Sequence, residues 1–330
     1  MTADHLRRRD FLKTLAATAA SVPALATAAP SAPIAKPGFD PKGLPTSVLG
    51  KTGVAVPRIG IGLGSRYCAV GDEDTAVRIL EAALDRGFYY WDTAYNYRNK
   101  DIVSEERLGR VLARRRAEVF LATKFEARTA DGVMRQLEES LKRLRTDRLD
   151  LYQVHLIESM ADVEALGAKG GALEALHRIR DQKVTRFIGF SGHLDAAAMA
   201  EAARRYDFDT MLIALNHYEE RKGDFEGGAV PAAAARNMGI MIIKAIRPRE
   251  TVKGLPAEDL IRYALSLPLV HSAVIGTDSL DVVAENARLL RGFEPLTPER
   301  MDALRVRLEP FLAGRELPWM RAGYKDGESV

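Results

Sequence analysis

Four ionisable side chains of the sequence have the types and the spacing to move a proton. Asp92, Lys124 and His155 each follow a short, strongly apolar run, and Tyr97 comes five residues after Asp92. A free phenol has a pKa near ~10, too high for ready proton exchange at neutral pH, but a neighbouring ammonium favours the phenolate and lowers that pKa. The set therefore predicts a tyrosine that acts as general acid toward a carbonyl oxygen, and as a base in the reverse direction.

Each of these residues also has an ordinary structural explanation when it is taken alone. Asp92 could cap a helix, Lys124 could lie on the surface, and His155 could be a satisfied core histidine, while Tyr95 competes with Tyr97 for the chemical role. The combination is harder to explain in this way, because buried charges need partners. A pair of Lys124 with Asp92 meets that need and also places a cation near Tyr97.

The elements that position these residues are eight apolar, β-rich runs that alternate with amphipathic helical patterns. Strands with few polar positions, separated by helices, imply a parallel sheet buried on both faces, and eight such units favour a closed barrel over an open sheet. The predicted fold is therefore α/β, a single-domain (β/α)8 TIM barrel. The runs are Arg58–Leu63, Gly87–Asp92, Glu118–Lys124, Leu149–His155, Thr185–Ser191, Thr210–Asn216, Ile240–Ala245 and Val270–Gly276, and the main helical patterns are Asp74–Arg86, Asp131–Leu144, Ala172–Asp181, Ala196–Arg205, Val230–Asn237 and Ala257–Ser266.

The barrel predicts where the chemistry lies. The carboxyl ends of barrel strands form the active face, and neighbouring strands lie ~4.8 Å apart, so Asp92, Lys124 and His155 can converge on one pocket. The loop 157–170 is longer than a typical β/α connection and either binds substrate or contains a short extra helix. A dinucleotide-binding sheet of the open type is disfavoured, because the glycines of 60–64 have the wrong spacing for its fingerprint.

The first 45 residues have a different character from the rest. Arg8-Arg9-Asp10-Phe11-Leu12-Lys13 precedes an Ala-rich apolar stretch that is too short for a comfortable membrane span and contains A-x-A cleavage sites. This order predicts a twin-arginine signal peptide over residues 1–29, a Pro-rich linker over 30–45 and a barrel over 46–330. The mature protein would then be periplasmic or otherwise exported, folded before export by the twin-arginine machinery, and would have no stable membrane span.

Charge and cysteine usage exclude several classes of function. The formal net charge is +3, and the first 26 residues carry four cations against two acids, so the remainder is nearly neutral and predicts no nucleic-acid partner. The cluster 114–116 of three arginines is expected to be a solvated helix end. With Cys68 as the one cysteine, a cysteine-ligated metal site has too few ligands, no metal is predicted, and Cys68 is expected to be a packing residue.

These residues occur in motifs that resemble the aldo-keto reductase family, in order and with compatible spacing. The tetrad motifs are a specific signal, and the similarity extends over residues 46 to about 313. It is carried by Leu49-Gly50-Lys51-Thr52-Gly53, Trp91-Asp92-Thr93-Ala94-Tyr95-Asn96-Tyr97, Ala122-Thr123-Lys124, Tyr152-Gln153-Val154-His155, Ile188-Gly189-Phe190-Ser191, Val274-Ile275-Gly276-Thr277 and Glu285-Asn286.

The resemblance implies an oxidoreductase that uses NADP or NAD to interconvert a carbonyl (aldehyde, ketone or sugar-like) and an alcohol. Tyr97 would be the proton donor, Lys124 and Asp92 would tune it, and His155 would help to position the substrate. A non-catalytic, cofactor-binding regulatory barrel is the alternative. The implied cofactor contacts are Ser191 and Asn216 at the nicotinamide carboxamide and Gly276, Thr277, Glu285 and Asn286 at the adenosine end, with Gly62 and Lys244 as further candidates, Lys244 for the pyrophosphate.

One departure from the family pattern bears on the cofactor. Relatives that prefer NADP(H) often carry lysine or arginine in the adenosine loop, whereas this chain has Asp278 and Val282 at such positions. An acid would repel a 2′-phosphate. The sequence therefore predicts use of both cofactors with a lean toward NAD(H), unless Arg288 reaches the phosphate.

Overall fold

The structure is a computed structural model, and it describes residues 38–215, 225–247, 249, 254–312, 319, 324 and 326. The predicted signal peptide, residues 30–37 of the predicted linker and Asn216 lie outside these residues. Within the part that is described, no helix is long and apolar enough to cross a membrane.

Eight parallel strands close into a barrel, as the sequence predicts. Around the barrel the order is β10-β11-β12-β3-β4-β7-β8-β9, and two antiparallel hairpins, β1–β2 and β5–β6, lie outside it. The strands are β1 (Thr46–Val48), β2 (Ala55–Pro57), β3 (Ile59–Gly62), β4 (Tyr90–Asp92), β5 (Arg98–Asn99), β6 (Ile102–Val103), β7 (Phe120–Phe125), β8 (Leu149–Val154), β9 (Thr185–Gly192), β10 (Thr210–Ala214), β11 (Gly239–Ile243) and β12 (Ser272–Gly276).

Helices follow the barrel strands and cover them. In order they are α1 (Ser65–Cys68), α2 (Glu73–Asp85), α3 (Ser104–Arg115), α4 (Ala130–Leu144), α5 (Met160–Gly167), α6 (Ala172–Asp181), α7 (Ala196–Arg205), α8 (Val230–Ala235), α9 (Ala257–Ser266), α10 (Leu280–Arg291) and α11 (Pro298–Leu312). The six predicted helical patterns are all helices, and the long loop after β8 contains the short helix α5.

The periodicity of each helix explains which face it buries. In α4, Val133, Leu137 and Leu141 recur at helical spacing and are buried, and Thr129 caps the helix by accepting a hydrogen bond from the backbone N–H of Gly132. The barrel strands are buried on both faces, with Phe120–Phe125 and Leu149–Val154 inaccessible along their whole length. This burial is the reason that the strands appear in the sequence as continuous apolar runs.

The arginine cluster after α3 corrects the expectation of a solvated helix end. Arg114 is exposed, but Arg116 is nearly buried and donates to Asp150 (2.8 Å) and to the carbonyl of Val119 (2.7 Å). Asp150 also pairs with Arg186 at 2.8 Å. The sequence pattern did not reveal this network, because the carboxylate of Asp150 lies on β8, 34 residues further along the chain than Arg116.

Candidate active site

The carboxyl ends of three neighbouring strands bring the predicted ionisable residues together. Asp92 is the last residue of β4, Lys124 is the second-to-last residue of β7, and His155 directly follows β8. Tyr97 lies on the loop after β4, where its backbone is held by bonds to Ala94 and Ser104. All four side chains are buried, Lys124 completely.

Lys124 is the centre of this cluster. Its ammonium lies 2.5 Å from a carboxylate oxygen of Asp92, 2.8 Å from the carbonyl of Thr93 and 3.3 Å from the hydroxyl of Tyr97. The other carboxylate oxygen of Asp92 accepts from the amide of Gln153 at 3.1 Å. The buried cation therefore has a paired anion and still reaches the phenol.

The structure distinguishes between the two candidate tyrosines. The hydroxyl of Tyr95 points away from the cluster and donates to Glu139 on α4 (2.7 Å). Tyr97 faces Lys124 and stands edge-on to His155, with 5.6 Å between the ring centroids. Tyr97 is the tyrosine in position to exchange a proton with a ligand in this pocket.

Asp326 is the residue of the site that the sequence analysis missed. One of its carboxylate oxygens accepts from the hydroxyl of Tyr97 (3.1 Å) and lies 3.2 Å from Nε2 of His155. The other accepts from the hydroxyl of Tyr324 (3.0 Å) and forms an ion pair with Lys244. No local motif surrounds Asp326, and it lies 229 residues from Tyr97 in the chain, so nothing in the sequence pattern pointed to it.

The pKa of Tyr97 is shifted in the direction opposite to the one that the sequence predicts. Burial and, next, the carboxylates of Asp326 and Asp92 raise the pKa of Tyr97 well above its usual value, even though Lys124 is close. The sequence-based expectation of a lowered pKa is wrong for this state. It took account of the ammonium of Lys124 but not of the burial of Tyr97 or of the carboxylate of Asp326. A ligand that displaces Asp326 would leave Lys124 as the nearest charge to the phenol, apart from its partner Asp92.

His155 is uncharged at neutral pH. Burial lowers the pKa of its ring to about 4, and the hydrogen bond to Asp326 offsets only part of this effect. A neutral imidazole can donate one hydrogen bond from the ring nitrogen that carries the proton. His155 can therefore orient an oxygen beside Tyr97 without adding charge to the pocket.

A second buried histidine, His193, lies in the same region. It is 5 % exposed, its ring stands edge-on to Tyr324 at 5.7 Å, and neither ring nitrogen has a hydrogen-bond partner among the described residues. Burial and then the cation of Lys244 lower its pKa to about 3. Buried polar atoms without partners are uncommon and costly, so His193 is suited to bind a polar ligand.

A cavity beside the cluster is lined by two of the predicted cofactor glycines. Gly62 and Gly276 are register partners at the ends of β3 and β12, and both line the cavity that contains Tyr97 and Lys244. A Cβ on Gly62 would lie 3.1 Å from the backbone of Ile275, and one on Gly276 would lie 3.0 Å from the side chain of Arg66. A side chain at either position would crowd the neighbouring strand or Arg66, so glycine permits the close packing at this edge of the cavity.

The other predicted cofactor residues lie in different environments. The hydroxyl of Ser191 is bonded to the barrel backbone, donating to Val154 and accepting from Leu156. Thr277 is buried with its hydroxyl on the carbonyl of Ile275 (3.0 Å), and Glu285 is exposed. Asn286 is 4 % exposed, and its amide nitrogen has no partner within the described part of the chain. The orphaned amide is the feature that most directly indicates a missing ligand at this end.

Asp278 is not an isolated acid. Arg66, in the short helix α1, binds its carboxylate with two nitrogens at 2.6 and 2.8 Å. Arg288 already has a partner in Glu258 at 3.2 Å and is largely exposed. The sequence predicts that the negative charge of Asp278 repels a 2′-phosphate. The pairing with Arg66 offsets that charge.

The fold and the site define a class: a (β/α)8 barrel with an Asp–Tyr–Lys–His cluster at the carboxyl ends of its strands. The family model described as "Aldo/keto reductase family" matches residues 58–248. The chain belongs to the aldo/keto reductase family.

Individual relatives agree with this assignment. L-galactose dehydrogenase of Arabidopsis thaliana is 31% identical over 315 residues, 82% of this chain and 95% of the relative. The oxidoreductase YrpG of Bacillus subtilis is 32% identical over 215 residues, 58% of this chain, and the match spans just 64% of its length. An aldo-keto reductase from Klebsiella pneumoniae in complex with NADPH superimposes with a TM-score of 0.65 at 22% identity, over 82% of this chain and 96% of that one.

Proposed function

We propose that the protein is an oxidoreductase that interconverts a carbonyl and an alcohol with a nicotinamide dinucleotide. The observation that carries the proposal is the buried hydroxyl of Tyr97, which lies 3.3 Å from the ammonium of Lys124 and beside the neutral ring of His155. This is the arrangement that a general acid toward a carbonyl oxygen requires. The family of the chain supports the same chemistry.

Each residue of the cluster has a separate task in this mechanism. Tyr97 gives its proton to the carbonyl oxygen in reduction and takes it back in oxidation. Lys124 stabilises the phenolate that remains, and Asp92 keeps that buried ammonium charged. His155 holds the oxygen in place with a hydrogen bond. A bound nicotinamide dinucleotide supplies or accepts the hydride.

The cavity beside the cluster fits such a cofactor. Gly62 lines this cavity and would lie beside the dinucleotide, while Gly276 and the orphaned amide of Asn286 would contact its adenosine end. The family resemblance assigns Thr277 and Glu285 to the adenosine end and Ser191 to the nicotinamide carboxamide. Lys244 lines the same cavity, although its present partners are Asp326 and Tyr324.

The substrate class follows less directly. L-galactose dehydrogenase is matched over nearly its whole length, and its name is that of an enzyme acting on a sugar. We therefore include aldoses beside aldehydes and ketones among the proposed substrates. A regulatory barrel that binds the cofactor without turnover is the rival hypothesis, and the complete cluster argues against it.

The test is turnover of aldehydes, ketones and aldoses with both cofactors, by the wild type and by Tyr97→Phe. We expect the variant to lose roughly 10²–10⁴-fold in rate, because only the transferable proton is removed. Cofactor affinity, measured separately by fluorescence titration, should be unchanged. A variant with near-wild-type turnover would contradict the role of Tyr97, and a wild type that binds cofactor but turns over none of these carbonyls would favour the regulatory barrel.

On cofactor preference, we propose use of both NAD(H) and NADP(H) with a lean toward NAD(H). The residues from Thr277 to Val282 include no cation for a 2′-phosphate. Titration with both reduced cofactors at one salt concentration tests this. A preference of more than a hundredfold for NADPH, about 2.7 kcal/mol, would overturn the proposal. The variant Arg66→Ala then tests whether Arg66 offsets the negative charge of Asp278. If it does, the affinity for NADPH should fall more than the affinity for NADH.

For localisation, we propose export in the folded state, directed by residues 1–29 as a twin-arginine signal and followed by periplasmic residence. The support is the order of the paired arginines, the apolar stretch and the cleavable Ala-rich segment. Replacing Arg8 and Arg9 together by lysine should retain the protein in the cytoplasm, as judged by cell fractionation. An unchanged distribution would contradict the proposal.

A further inference from the structure

Lys244 is a buried cation that holds an anion in the candidate active site. Its side chain is 4% exposed and pairs with the carboxylate of Asp326, which is 7% exposed. The backbone of Lys244 is left-handed, with φ of +63°, a conformation that lysine rarely adopts and that is concentrated at ligand sites in proteins. The strand β11 thus delivers an ammonium into the pocket at a conformational cost.

Asp326 lies where a substrate has to bind. One carboxylate oxygen is within hydrogen-bond distance of Tyr97 and His155, the groups proposed to act on the reacting oxygen. The other oxygen is held by Lys244 and by the hydroxyl of Tyr324. A substrate oxygen reaches Tyr97 only when this carboxylate leaves, and Lys244 then loses its anion.

The remaining charges of the pocket do not compensate for that loss. Lys124 is already paired with Asp92 at 2.5 Å. His155 and His193 are neutral near pH 7, because burial lowers their pKa values to about 4 and about 3. A neutral ligand in the place of Asp326 would leave the ammonium of Lys244 buried without an anion or cause it to lose its proton, since burial lowers its pKa; both outcomes cost binding free energy.

We propose that the pocket selects a carbonyl substrate that carries a carboxylate next to the reacting carbon, that is, a 2-oxo acid or the corresponding 2-hydroxy acid. The keto oxygen takes the place of the Asp326 oxygen on Tyr97 and His155. The substrate carboxylate takes the place of the second oxygen, on Lys244 and Tyr324. Lys244 is then the residue that determines specificity for the anion, and this assignment rests on the proposed oxidoreductase function.

The chemistry balances with the proposed cofactor as the hydride source. In reduction, hydride from the reduced nicotinamide dinucleotide adds to the keto carbon and the C=O π bond breaks. The oxygen takes the phenolic proton of Tyr97, and the tyrosine recovers a proton from solvent. The products are the 2-hydroxy acid and the oxidised dinucleotide, and the substrate carboxylate is unchanged.

Shape alone would also admit a neutral cyclic hemiacetal, whose two oxygens share one carbon as those of a carboxylate do. Charge decides between the two substrates. The hemiacetal leaves Lys244 without an anion, whereas the 2-oxo acid replaces one carboxylate by another. The orphaned nitrogens of His193 offer further hydrogen bonds to hydroxyl groups on either substrate.

The kinetic test compares benzoylformate with its methyl ester, which keeps the ketone and removes the charge. We expect the wild type to prefer the acid. Lys244→Met should lower kcat/KM for the acid roughly 10- to 100-fold more than for the ester, and Lys244→Arg should restore part of the preference. Lys51→Met is the matched control, since Lys51 pairs with Asp207 outside the pocket.

The binding test needs no turnover. It compares the affinities of the protein for oxamate and for the neutral oxamide, both measured by calorimetry. Asp326→Asn removes the resident anion and should tighten oxamate binding about tenfold or more, with little change for oxamide. Lys244→Met should weaken oxamate selectively. If this variant folds poorly because Asp326 is left unpaired, Lys244→Met combined with Asp326→Asn removes both charges and should still show no preference for oxamate.

The two tests separate this inference from the proposed function. Two results would overturn the role of Lys244 and leave the oxidoreductase function intact. One is turnover of ketones, aldehydes or aldoses without preference for the acid over the ester. The other is an oxamate affinity that neither variant changes. Absence of hydride transfer with any carbonyl overturns the oxidoreductase, and oxamate binding then still decides whether Lys244 holds a carboxylate.

Discussion

At the scale of single residues, the phenol of Tyr97, the proposed proton donor, has two neighbours with opposing effects. Lys124 lies 3.3 Å from the hydroxyl of Tyr97 and favours the phenolate, whereas Asp326 accepts a hydrogen bond from the same hydroxyl at 3.1 Å and favours the phenol. With Asp326 in place, burial and the carboxylate dominate and the pKa of Tyr97 is raised. Asp326 thus adds to the effect of burial in raising the pKa of Tyr97 in the free protein.

Asp326→Asn should lower the pKa of Tyr97 in the free protein, because the amide removes a negative charge beside the phenol. Oxidation needs the phenolate, so its kcat/KM should reach its plateau at lower pH in the variant. In reduction, the loss of activity at high pH should also begin at lower pH. Matching pH profiles of kcat/KM, which report the free enzyme, would contradict the contact between Asp326 and Tyr97.

Lys124→Met should remove turnover and also destabilise the fold. The substitution leaves Asp92 buried without its cation, and breaking a buried ion pair in this way costs about 3–5 kcal/mol. Denaturant unfolding measures the loss. Adding Asp92→Asn should recover part of the stability but none of the turnover, because the charge near Tyr97 is still missing. A Lys124→Met protein that is stable and active would show that the pair is outside the site.

At the scale of secondary-structure elements, the two ends of the barrel strands carry different kinds of charge pair. The carboxyl ends of β4 and β7 hold Asp92 and Lys124, whereas the start of β8 holds Asp150, which joins Arg116 and Arg186. An oxygen of Asp150 also accepts from the backbone of β7. This second cluster ties neighbouring strands together at the end remote from Tyr97.

Asp150→Asn should therefore destabilise the protein without altering its chemistry. We expect a loss of about 3–5 kcal/mol in the free energy of unfolding, because Arg116 is left buried without its anion. Turnover per folded molecule should stay at the wild-type value. Asp207→Asn is the matched control: its partner Lys51 is on the surface, and the expected change is below ~1 kcal/mol. Equal losses for the two variants would contradict the buried network.

At the scale of the whole molecule, the buried histidines make stability depend on pH. The pKa values of His155 and His193 fall from the usual 6.5 to about 4 and about 3, in both cases chiefly through burial. Below pH 6.5 the unfolded chain binds protons that the folded protein does not. Stability is thus lost as the pH falls from 6.5 toward 4, and it is fully present above 6.5.

Denaturant unfolding across pH 4 to 7 measures this effect, and the free energy of unfolding should rise with pH over the window from 4 to 6.5. His193→Phe removes one titrating group while keeping a ring against Tyr324, so its curve should be flatter than that of the wild type. The same slope in both proteins would show that His193 is accessible to protons in solution.

Much of the molecule is determined by local pattern. The eight apolar runs coincide with the eight barrel strands, because strands buried on both faces need continuous apolar sequence. The closure into a barrel follows from the number of strand–helix units. Asp92, Lys124 and His155 could be placed at one end of the barrel because each lies at or next to the carboxyl end of its own strand.

The tertiary structure alone decided the electrostatics of the pocket. Asp326 reaches Tyr97 across 229 residues of sequence, Arg66 pairs with Asp278 across 212, and Lys244 pairs with Asp326 across 82. Such contacts follow neither the helical nor the strand period, so the hydrophobic pattern of the sequence does not predict them. The sequence by itself determined the barrel and offered Tyr95 and Tyr97 as candidate proton donors, whereas the choice of Tyr97, its pKa and the anion that shares its pocket depend on contacts that only the folded chain makes.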